Sequence, residues 1–232
     1  MVVIIDKFIS YIDYFRYTDS DNKIDINIYA TKEYLSNVYR EYVQRSGKIL
    51  PKNIKKLLSK TAGLTFFDDD GNATIYLKKI KNQEKFALIQ YHEISHALNH
   101  NRFKDILDDK NDTIFIGKNL IDELFAHHDS NYCIKKEFGV SIDVISEKID
   151  LLLDNVNEDA FNPYIICELL SLIHIYKISV ENVKEEKRDL FLKINAISDN
   201  VEYLYNKPYI SSEDCENIVY LIEEIESLST NR

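Results

Sequence analysis

The sequence predicts a predominantly helical α+β fold: a small β-sheet or hairpin packed on one prominent helix, followed by an all-helical C-terminal portion. Three observations predict it. Only five glycines and three prolines punctuate 232 residues, which favours long helices over a many-turned sheet. Apolar residues recur at helical spacing over most of the chain. Two β-rich runs in "GLTFFDDDGNATIYLKK" flank the turn cluster Asp69-Asp70-Gly71-Asn72.

In chain order, Ile4, Phe8, Tyr11 and Phe15 share one face of a helix over residues 3–16. "KIDINIYA" alternates Ile24, Ile26 and Ile28 as a short strand does. A helix is expected from an N-cap at Thr31 to Gly47, and another from Lys52 to Lys60. The hairpin covers residues 64–78, and a helix starts near Asn82. Residues 101–113 read as a polar connection to a second long helix that closes at Gly139. Beyond Ser141 the pattern is helical throughout, over 145–155, 160–178, 180–196 and 212–228, the last capped by "SSEDCE". This divides the chain into an α+β region, 1–140, and a helical extension, 141–232, which could serve as a recognition subdomain. Composition marks no boundary between them, and there is no repeat or low-complexity linker.

An apolar fraction of 45% supports a real core. The formal charge of -10 works against general affinity for nucleic acid or anionic membranes, which need excess lysine and arginine at the contact. Cys133, Cys167 and Cys215 are far apart and odd in number, so neither a disulfide framework nor a thiolate metal site is expected. "MVVIIDKFISYIDYF" has no basic leader and no small-residue cleavage site, and no run approaches the roughly 18 apolar residues of a membrane span. A reducing, cytoplasmic setting is the expectation.

The chemistry concentrates in "FALIQYHEISHALNH", Phe86 to His100. His92 and His96 stand four residues apart, so a helix stacks their imidazoles to supply two ligands to one zinc ion. Glu93 projects beside them, placed to take a proton from a metal-activated water. Ala87, Tyr91, Ile94 and Leu98 gather on an apolar face, while His92, Glu93, His96 and His100 occupy another. His100 lies too far along the axis from His92, about 12 Å, to share the ion, and reads as a substrate-side group or a plain exposed residue. The longer HExxHxxGxxH spacing is absent, because residue 99 is Asn and residue 102 is Arg.

A third ligand is expected from "NLIDELFAHHDSNYC". Glu123, Ala126 and His127 share one helical face there, and small Ala126 permits a close helix approach, which favours Glu123 as ligand. His127, one turn on, suits a hydrogen bond to a ligand or an oxyanion, or is a surface histidine. His128 reads as a half-buried structural group and His174 as a core histidine, while Tyr91 or Tyr132 could lean into the site.

A strand followed by "EKFALIQYHEISHALNH" and later "ELFA" resembles the ImmA/IrrE-like zinc metallopeptidases over about residues 73–130. The resemblance implies His92, His96 and Glu123 as zinc ligands and Glu93 as general base. It further implies a Zn2+ cofactor and limited cleavage of a protein partner, such as a co-encoded regulatory repressor. The chain departs from that family in having Ser95 where glycine is usual and "HHDSNYCIKKEFG" in place of an apolar continuation. The alternative reading is a catalytically silent zinc-binding sensor or partner-binding module.

Overall fold

The computed structural model describes residues 2–12, 22–47, 56, 58, 60–156 and 162–230. The elements in order are α1 (Val2–Tyr11), β1 (Ile24–Tyr29), α2 (Thr31–Ser46), β2 (Gly63–Phe67), β3 (Ala73–Lys78), α3 (Gln83–Asn99), α4 (Asp112–Phe138), α5 (Ile142–Val156), α6 (Pro163–Tyr176), α7 (Arg188–Tyr205) and α8 (Ser212–Thr230). The predominantly helical α+β class is therefore observed.

The three strands run in the order β1-β3-β2. The hairpin pairs antiparallel with Thr65 opposite Ile75, and its turn is held by the Asp68 carboxylate, which accepts from Asn72 N at 2.8 Å and Asp70 N at 3.1 Å. Gly71 supplies the positive φ of 79° that this turn needs. β1 joins the other side of β3 in parallel, Ile26 opposite Ile75, which places β3 in the centre with Ile75 and Leu77 fully buried.

Caps set the two helices that matter most. The Asn82 side chain accepts from Lys85 N and starts α3, and Asn111 accepts from Thr113 N and starts α4. Gly139, at a φ of 63°, ends α4 after 27 residues. This long helix serves two cores. Ile121, Leu124 and Phe125 pack among Ile149, Leu153, Ile166, Leu170, Phe191 and Ile218 of the C-terminal helices. Cys133 and Ile134 pack with Phe8, Ile75, Leu77, Tyr91 and Ile94 on the sheet side. α8 crosses so close that a Cβ on Gly117 would stand 2.2 Å from Cys215 O. The cysteines are free and buried, and among the described residues no helix is long and apolar enough to cross a membrane.

Several boundaries differ from the sequence expectation. α1 stops at Tyr11, and Phe15 and most of 52–60 lie outside the described residues. Ala30, not Thr31, occupies the cap position of α2, because β1 ends at Tyr29 and leaves a single extended residue before the helix. The stretch 160–178 is helical only over Pro163–Tyr176, entered through the Asn162 cap and a first-turn proline. The helix expected over 180–196 begins at Arg188 and runs to Tyr205. Its first residues instead form two short 3-10 turns fastened to α5, with Lys187 Nζ donating to Asp150 O at 2.8 Å and pairing with Asp154 at 2.7 Å.

The connection after α3 also differs from its polar appearance. Arg102 and Phe103 are 2% and 1% exposed, in a 3-10 turn over His100–Phe103. Arg102 donates to Asn99 Oδ1 at 2.8 Å, to Leu204 O at 2.7 Å and to Lys207 O, and lies over the Phe125 ring at 3.7 Å. The guanidinium thus ties the end of α3 to the end of α7. Arg102→Ala is expected to destabilise the protein by about 3 kcal/mol, because it removes three hydrogen bonds, leaves buried Asn99 Oδ1 without its donor and empties the space over the Phe125 ring. A urea unfolding titration of variant and parent measures this.

Candidate metal centre

α3 buries Tyr91 and Ile94, at 1% and 0% exposure, against the sheet-side core. That anchors its rotation and turns His92 and His96 towards α4. The two side chains keep 19% and 12% exposure, so the pair is largely buried but not sealed from solvent. Their Nε2 atoms are 3.1 Å apart.

From α4, Glu123 meets both: Oε2 is 3.4 Å from His92 Nε2 and Oε1 is 3.8 Å from His96 Nε2. Donor atoms bound at about 2.0–2.1 Å in a tetrahedral arrangement stand roughly 3.3 Å from one another, so these separations suit a common ion. His127 adds a further imidazole, its Nε2 3.8 Å from Glu123 Oε2 and its ring 4.8 Å from that of His92. The ligand atoms of His92, Glu123 and His127 all lie within 4.8 Å of one another and could hold a metal ion. Two facing imidazoles, a carboxylate and a third imidazole form a donor set suited to a borderline divalent cation such as zinc.

Asp122, beside Glu123, backs His96. Its Oδ2 lies 2.9 Å from His96 Nδ1 as an ion-pair contact without hydrogen-bond alignment, and His96 Nδ1 and Asp122 Oδ1 are buried without a hydrogen-bond partner. Burial works against a charged His96 ring, but Asp122 first, then Glu123 and Glu93, overcome it and lift its pKa to about 10. Burial also opposes the charge on Glu123, yet the surrounding imidazoles, His92 foremost, hold its pKa down to about 2. His127 goes the other way: burial, then the neighbouring His92, lowers it to about 4, leaving it neutral at neutral pH. A cluster that draws a proton onto His96 in order to balance its carboxylates is one that favours a cation.

Glu93 is 7% exposed and lies against the sheet, where its Oε2 accepts from Thr65 Oγ1 at 2.8 Å, while it lines the same cavities as His92. β2 can approach this closely only because residue 63 is glycine. A Cβ there would stand 2.5 Å from Glu93 Oε1. Gly63→Ala is expected to push the carboxylate aside and to destabilise the protein by about 1–3 kcal/mol through overpacking. A urea unfolding titration of variant and parent checks this.

Two cavities flank this pair and share Gly63, His92 and Glu93. One, of about 380 Å³, opens over Thr65, Phe67, His96, Asp122 and Glu123. The other, of about 230 Å³, reaches His127, Asn131 and Glu168.

His92, Glu93, His96, Glu123 and His127, all named from sequence, are thus brought together. The remaining named groups lie elsewhere. His100 stacks on Phe67, ring centroids 3.8 Å apart, and burial lowers its pKa. Tyr91 donates to Glu137, and Tyr132 packs on both apolar clusters, so neither leans into the site. His128 is fully rather than half buried, stacked on Tyr205 at 3.9 Å and bonded to Asp129 at 3.2 Å; His174 lies 5.0 Å from the same tyrosine ring. Ser95 donates to Asp129 Oδ2 at 2.8 Å and so locks α3 to α4. Sequence reasoning missed Asp122, Gly63, Thr65 and Glu168. Only Asp122 left a signal, as the acidic neighbour of the chosen ligand. No family model, curated protein or solved structure matches this chain.

Proposed function

We propose that this protein is a zinc-dependent metallopeptidase that cleaves a specific protein partner, such as a regulatory repressor encoded beside it. The observation that carries the reading is the convergence of His92 Nε2, His96 Nε2 and Glu123 within 3.1–3.8 Å, with Glu93 adjacent on the same helix. His92, His96 and Glu123 would hold the ion. Bound there, zinc would supply a Lewis acid for a peptide carbonyl and lower the pKa of a water towards about 7.

The chain's own groups do the rest. Glu93 takes a proton from the attacking water and returns it to the leaving amine. Thr65 holds that carboxylate in place through its 2.8 Å hydrogen bond. Asp122 steadies His96 from behind, as carboxylates commonly do for ligating imidazoles. His127, neutral at neutral pH, can donate to an oxyanion. β2 lies at the sheet edge, and among the described residues no strand pairs with its outer side, so its backbone can receive an extended peptide across Glu93.

A second reading, a zinc-binding sensor or partner-binding module, is favoured by His127 itself. Were it a fourth ligand alongside the other three, no coordination position would be left for water.

Zinc titration by calorimetry, paired with cleavage assays on an unfolded protein and on the neighbouring regulator, tests these readings. One ion per chain is expected, with release of about one proton at pH 7 because His96, at a pKa of about 10, must give up its proton to ligate. Apparent affinity should weaken about tenfold per unit as pH falls below that pKa. His127→Ala that keeps zinc affinity but slows cleavage supports the open, catalytic site. A loss of affinity of about 100-fold, with no cleavage by the parent protein, supports the sensor.

A further inference from the structure

The smaller of the two cavities beside Glu93 is shaped and charged for one kind of side chain. At about 230 Å³ it falls below the usual range of whole small-molecule sites, which suits one side chain of a longer ligand. Half-buried Ala62, Leu88 and Ile89 give it apolar walls. Glu168 of α6 also lines it, and among the described residues its charged lining is Glu93 and Glu168, with no lysine or arginine.

Apolar walls with a carboxylate match the two halves of a lysine or arginine side chain, an aliphatic stem and a cationic tip. Glu168 does have a counter-ion, Lys148 of α5, at 2.6 Å. That contact engages Oε1, and the two side chains keep 34% and 22% exposure. Such a partly solvated pair contributes little and yields readily to a competing cation.

We propose that this pocket receives a lysine or arginine of the substrate next to the bond being cut, and that Glu168 selects it; the assignment rests on the metallopeptidase reading. A chain laid along β2 would cross from one cavity to the other over Gly63, His92 and Glu93, so the pocket's occupant flanks the reacting carbonyl. The helical C-terminal portion then contributes to specificity through α6. An acidic protein, of formal charge -10, also attracts basic segments at long range.

The test has two arms. Zinc-loaded protein is incubated with a proteome-derived peptide mixture and the cut sites are read by mass spectrometry. Separately, the Glu93→Gln protein is titrated calorimetrically with alanine-based heptapeptides carrying lysine or norleucine at the centre. Lysine and arginine should be enriched at one fixed position within two residues of the cut. Lysine peptides should bind about tenfold more tightly than norleucine peptides. Glu168→Gln should bring that ratio close to one, and Lys148→Ala should raise it by freeing the carboxylate. Cleavage without basic enrichment, or a lysine preference that persists in Glu168→Gln, overturns the pocket and leaves the peptidase standing. A Glu168-dependent lysine preference in a protein that cleaves nothing keeps the pocket and overturns the peptidase. Neither cleavage nor preference overturns both.

Discussion

Glu93→Gln is expected to lower kcat by about a thousandfold, within the range attributed to a positioned general base, while the protein still takes up one zinc ion. Glutamine has the shape of the native side chain and can still accept from Thr65 Oγ1, so the fit against Gly63 is kept. It cannot accept a proton from water at neutral pH. The carboxylate is held by Thr65 of β2 and is not one of the three groups proposed to hold the ion, so its replacement should leave His92, His96 and Glu123 in place. Turnover and metal content measured on one preparation decide the matter. Full activity at unchanged zinc would remove Glu93 from the mechanism, and loss of zinc would make it a ligand.

Glu123→Ala should raise the zinc dissociation constant by 100-fold or more, a larger change than loss of a supporting residue brings. Glu123 supplies a carboxylate that reaches all three imidazoles, at 3.4 Å from His92 and 3.8 Å from both His96 and His127. Without it the dication would face neutral rings, with Asp122 committed to the far side of His96. Competition against a chelator of known affinity reads the change. Undiminished binding would show that His127 or Asp122 completes the ligand set, and the peptidase assignment of Glu123 would fall.

These predictions rest on residues that were partly legible in one dimension. The four-residue spacing of His92 and His96, the apolar face of Tyr91 and Ile94, the Asn82 start and the Gly139 stop are short-range features. Helix geometry makes neighbours of residues three or four apart, so a sequence displays them directly. The hairpin was legible for the same reason, since Asp68 and Gly71 build its turn from local bonds. Glu123 could be chosen because it shares a helical face with Ala126 and His127, and that face does meet α3.

Arg102 illustrates the opposite case. Among polar residues it reads as part of a loop, yet its hydrogen bonds run to Asn99 and to the carbonyls of Leu204 and Lys207, over a hundred residues further on. Nothing local announces such a partner. Gly63 is similar: a glycine before a strand looks like punctuation, whereas here it makes room for the Glu93 carboxylate.

By itself, then, the sequence determined the helical class, the hairpin, the Asn82 and Gly139 ends of the two long helices and the pairing of two imidazoles with a neighbouring carboxylate, all consequences of backbone geometry over a few residues. Tertiary structure alone decided that Asp122 backs His96, that Thr65 holds Glu93, and that Glu168 reaches the same site from the C-terminal helices. The physical reason is that those contacts depend on how close helices and strand come to one another. Packing of the two cores on either side of α4 sets that approach, and no spacing along the chain encodes it.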